Sequence, residues 1–86
     1  MAKVAPELLK KLRTGGNAQV QLIVRTTDDP EQYVALLEER GIKVQRRFRL
    51  TRRLAIQGPA AACLSLVNEP WVEVLEEDQP VHTWAG

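Results

Sequence analysis

From Gln19 the chain alternates, with Val20, Leu22 and Val24 on one side and Gln21, Ile23 and Arg25 on the other, the period-two signature of a half-buried strand. Thr27-Asp28-Asp29-Pro30 interrupts it. An Asp cap before Pro at the first helical position, with Glu31 in the opening turn, predicts a helix over Pro30 to Arg40. Tyr33, Val34, Leu36 and Leu37 form its buried stripe, and Gly41 is placed to stop it. Ile42 to Leu50 and Arg53 to Gln57 read as two strands joined by a tight turn near Thr51-Arg52. Gly58-Pro59 then opens a second helix through Ala60, Ala61, Ala62, Cys63, Leu64, Leu66 and Val67, which Asn68-Glu69-Pro70 ends. Trp71 to Glu77 is the last strand, with Val72, Val74 and Glu76 expected to alternate against Trp71, Glu73 and Leu75.

Ahead of these elements, residues 1–18 read as an extension: Pro6, Val4, Leu8, Leu9 and Leu12 suit a short helix, and Gly15-Gly16-Asn17 makes a joint after it. Residues 19–78 thus follow the order β-α-β-β-α-β and residues 79–86 form an extended tail. The expected fold class is α+β and ferredoxin-like, a four-stranded antiparallel sheet with two helices on one face plus the short N-terminal helix. No element is then left to cover the second face of the sheet.

Length and composition narrow the function classes. Eighty-six residues are enough for one small domain and no more, with a mix of 44% hydrophobic and 27% charged residues that suits a globular chain. Cys63 is the single cysteine and His82 the single histidine, so neither a disulfide nor a structural zinc site is expected, and no cofactor motif is present. No apolar stretch approaches a membrane span and none resembles a secretory leader, so the chain as given reads as cytoplasmic with no membrane partner. An enzyme is not expected: Ser65 falls in a helix, Cys63 sits among alanines as a small core residue, and no catalytic residue can be nominated.

The net charge of +1 conceals a polarised chain. Residues 1–53 hold all 12 basic residues and 6 acids, whereas residues 54–86 hold 5 acids and no base. Arg46, Arg47, Arg49, Arg52 and Arg53 crowd the central hairpin, and a basic sheet of this layout gives one alternative, a nucleic-acid-binding module. Phe48 is the only aromatic there, too few for a base-stacking platform, and pairing with Glu73, Glu76 and Glu77 accounts for the arginines equally well.

Several segments, taken in order, carry a resemblance. Gly41 to Leu50 (GIKVQRRFRL), Leu54-Ala55-Ile56, Asn68-Glu69-Pro70-Trp71-Val72, and Val74-Leu75-Glu76-Glu77-Asp78 followed by Gln79-Pro80-Val81-His82-Thr83-Trp84 closely resemble the propeptides of subtilisin-like serine proteases and the stand-alone inhibitors of that family, over about residues 19–84. The resemblance implies a βαββαβ domain that inhibits the protease or assists its folding. It implies that the exposed sheet face sits on two protease helices whose N-termini are capped by Glu76 and Asp78, where a carboxylate meets unpaired N–H groups and the positive end of the dipole. It further implies that the tail enters the substrate cleft, Trp84 in the first site, Thr83 and His82 behind it, and Val81 in the fourth. Pro80 favours an extended exit, and the bond after Trp84 lies where cleavage would fall.

Overall fold

The alternating segment at Gln19 forms the centre of the sheet. The computed structural model describes residues 2–78. In chain order the elements are β1 (Lys3–Val4), α1 (Pro6–Gly15), β2 (Gln19–Thr26), α2 (Val34–Glu39), β3 (Lys43–Phe48), β4 (Arg53–Pro59), α3 (Ala60–Leu64) and β5 (Val72–Glu77). A turn of 3-10 helix, Pro30–Tyr33, precedes α2, and another, Ser65–Asn68, follows α3. The protein is an α+β domain with the strand order β1-β5-β2-β4-β3.

The sheet departs from the expected four antiparallel strands. It is mixed and five-stranded, because Lys3 and Val4 pair in parallel with Val74 and Leu75 on the outer side of β5. Two residues are too few for a period to register, so this strand is invisible in the hydropathy pattern. The N-terminal segment is built into the same core as the rest: Leu8 and Leu12 of α1 are buried with Cys63 and Leu66. Gly15 lies where a Cβ would come 2.6 Å from the Ala60 Cβ, so its lack of a side chain sets how closely the two helices approach. The first N–H groups of α3, which have no partner within their own helix, donate to the carbonyls of Ala18 and Gly16 at 2.9 Å.

The Asp29 carboxylate accepts from the Glu31 N–H at 3.1 Å, as an N-cap does, yet the turn that follows is 3-10 before it relaxes to α. Gly41, with φ of +80°, follows the helix and its N–H donates to the Glu38 carbonyl at 3.0 Å. The expected second helix is shorter than its alanines suggest, ending in α form at Leu64. Arg52 takes a φ of +56° in the β3–β4 turn, a left-handed conformation that an arginine adopts at some cost.

A single core lies between the helices and one face of the sheet. Val20, Leu22 and Val24 of β2, Leu54 and Ile56 of β4, and Leu75 of β5 meet Leu8, Leu12, Val34, Leu37 and Cys63 from the three helices and Leu66 from the 3-10 turn after α3. The alternation expected in β5 fails at a bulge. Pairing with β2 shifts between Arg25 and Thr26, so Val72 and Leu75, three apart, both face the core, while Val74 joins Glu76 on the other side. Trp71 ends up before the strand, nearly buried, its ring stacked on Tyr33 with centroids 4.2 Å apart and planes 5° from parallel.

Candidate functional site

The face of the sheet turned away from the helices is built from the positions between the core residues. Gln21, Ile23 and Arg25 alternate with Val20, Leu22 and Val24 along β2; Ala55 and Gln57 alternate with Leu54 and Ile56 along β4. Register completes the surface. Glu76 lies opposite Ile23, Ala55 opposite Arg46, and Phe48 opposite Arg53. Gln45 is the extra residue of a bulge in β3, and its amide donates to the Gln57 side chain at 2.6 Å. Between Ile23, Ala55, Phe48 and Arg46, with Gln21 and Asp78 on the rim, lies a shallow depression of about 330 Å³.

The two carboxylates named from the sequence share this surface. Glu76 projects from it at the end of β5, exposed, and Asp78 follows the strand with its N–H donating to the Gln21 carbonyl at 2.9 Å. Neither makes an ion pair among the described residues. Glu77, between them, is turned to the helix side and bonds Lys11 of α1. The acidic triplet is thus divided by the pleat into two carboxylates available on the open face and one joined to the N-terminal helix. Val81, His82, Thr83 and Trp84, the residues assigned to a protease cleft, lie outside the described residues.

Strand geometry also divides the arginines of the hairpin. Arg46 and Arg53 stand on the open face, whereas Arg47 pairs with Glu31 at 3.6 Å on the helix side. Arg52 donates to the Thr27 carbonyl at 3.2 Å, and Arg49 stands at the turn beside Leu50, whose side chain is fully exposed. The alternative nucleic-acid patch is therefore spread over both faces and the tip instead of forming one stripe. The pairing expected with Glu73, Glu76 and Glu77 takes another form: Glu73 engages Arg25 at 3.1 Å.

Further residues of the face went unnamed as functional in the sequence. Ile23, Ala55, Gln21, Gln57 and Lys43 are placed there by strand register, and the alternation of β2 already separated Gln21 and Ile23 from the core positions. Among the described residues no three His, Cys, Asp or Glu side chains gather as a metal site, and no helix is long and apolar enough to cross a membrane. Cys63 is fully buried, and burial pushes its thiol up to about 11. The chain matches no family model and no curated protein.

Proposed function

We propose that the protein is an inhibitor of a subtilisin-like serine protease, or a folding chaperone for one acting in trans, in which the open sheet face docks on the protease and the C-terminal tail occupies the substrate cleft. The observation that carries this reading is the pair Glu76 and Asp78, which have no ion-pair partner among the described residues and stand side by side on a sheet face that no described helix covers. Two carboxylates at the end of one strand suit two helix N-termini, because each meets unsatisfied N–H groups and a partial positive charge. The β5 strand ends beside them, at the edge of the face proposed to dock.

The βαββαβ order of residues 19–77 supports a ferredoxin-like domain to which β1 and α1 are added. That addition bears on the choice between inhibitor and chaperone. With α1 contributing Leu8 and Leu12 to the core and β1 extending the sheet beyond β5, the domain has the burial to fold before it meets a protease, as a free-standing inhibitor must.

Titrating a subtilisin with the purified chain tests the proposal, with a dose-dependent loss of peptide hydrolysis expected. A protease unaffected by micromolar protein overturns it. Removing residues 79–86 is expected to weaken inhibition by at least about a hundredfold while circular dichroism stays unchanged, since the cleft contacts are lost and the core is not. An inhibition constant that does not move would remove the tail from the mechanism.

A further inference from the structure

Register sorts the open face into transverse rows, and two of them are self-complementary when reversed. In the first, Glu76 of β5 faces Ile23 of β2, Ile23 faces Ala55 of β4, and Ala55 faces Arg46 of β3. It runs acid, large apolar, small apolar, base. In the second, Asp78 bonds across to Gln21, Gln21 faces Gln57, and Gln57 faces Lys43. It runs acid, amide, amide, base. A two-fold axis lying in the plane of the face, parallel to the strands, carries each row onto its own reverse.

We infer that this face also pairs with a second copy of the chain about such an axis. Glu76 then lies over Arg46 of the other copy and Asp78 over Lys43, twice each because the interface is isologous. None of these four side chains has an ion-pair partner among the described residues, so no existing pair is given up. Ile23 enters the depression above Ala55 of the second copy, and the reverse contact fills the first copy's own depression. A third row, Val74, Arg25, Arg53, Phe48, sets Val74 over Phe48, an apolar match. It also sets Arg25 near Arg53, which Glu73 offsets beside Arg25, and Lys3 adds a base next to Val74. Reversing individual charges is therefore a sharper perturbation than adding salt. On the protease reading, which this step alone borrows, the dimer covers the docking face until a protease displaces one copy.

Sedimentation equilibrium of the full chain, from about 1 to about 500 µM, tests the pairing. The mean mass is expected to rise with concentration from 9.7 kDa toward twice that value. Glu76→Arg and Arg46→Glu each set like charges over one another in both halves of the interface, so each alone is expected to weaken association roughly tenfold or more. An equimolar mixture of the two variants is expected to associate as the unaltered chain does, because both contacts between positions 76 and 46 again join an acid to a base. Should circular dichroism show either variant unfolded, Asp78→Lys and Lys43→Asp pose the same question. A chain that stays monomeric throughout, or a mixture no more associated than its components, overturns the inference. Since no protease enters this measurement, a chain that dimerises yet leaves subtilisin active overturns only the inhibitor reading.

Discussion

Leu22, Val24, Leu54 and Ile56 on the helix-covered face are all fully buried, while the residues between them on the same strands, Gln21, Ile23, Arg25 and Gln57 around a buried Ala55, make a surface that is mostly polar and partly exposed. One strand thus serves two purposes at alternate positions. The covered face removes apolar side chains from water, which is where the domain's stability arises. The open face leaves Glu76, Asp78, Lys43 and Arg46 without ion-pair partners among the described residues, and contributes little to folding. The pleat keeps the apolar core and the proposed recognition surface apart, so substitutions on one face should be readable separately from those on the other.

Leu22→Ala, on the covered face, should cost about 2–5 kcal/mol, because the removed side chain leaves a cavity among core residues from both helices and strands. Denaturant unfolding checks it, and a loss below about 1 kcal/mol would mean that the face is less decisive than its burial suggests. Gly15→Ala should destabilise by about 1–3 kcal/mol, even though alanine favours helix, because the new methyl would meet Ala60 at 2.6 Å. A more stable variant would show that α1 can shift away from α3 freely.

Cys63 offers a pH-dependent view of the same core. Its folded pKa, raised to about 11, lies above the unfolded value, so the stabilisation it provides is complete below the unfolded pKa and declines as pH rises toward 11. Stability measured by denaturant at successive pH values should fall over that window, and Cys63→Ala should remove this part of the slope. An identical slope in the variant would assign it to other groups. The smallest stability effect is expected on the open face: Glu76→Gln should change unfolding free energy by no more than about 0.5 kcal/mol. The same substitution should weaken protease inhibition by about twofold to thirtyfold, the range for one carboxylate at a helix N-terminus. Loss of fold with loss of inhibition would collapse the distinction between the faces.

How much of this was legible beforehand varies from element to element. β2 could be read residue by residue, since Val20, Leu22 and Val24 alternate with polar positions and no neighbour overrides the pattern. The Asp29 cap and Gly41 stop were legible because both act within one turn of their own position. β5 was misread by one bulge: alternation assumes every residue advances the pleat by one step, and the shift at Arg25 and Thr26 breaks that assumption. Among the site residues, Glu76 and Asp78 could be named from the sequence, whereas their separation from Glu77 could not.

Local pattern was enough for the order of elements from Gln19 onward, the inward residues of the central strand and a last third that carries acids and no base, because periodicity, capping and composition need no distant partner. Long-range pairing settled that Lys3–Val4 joins the sheet in parallel, that α1 belongs to the core, and that Glu76 of β5 and Lys43 and Arg46 of β3 stand at opposite sides of one open face. Those facts follow from pairings between segments far apart in the chain, where register, and not the residues of either segment alone, fixes which side chains meet.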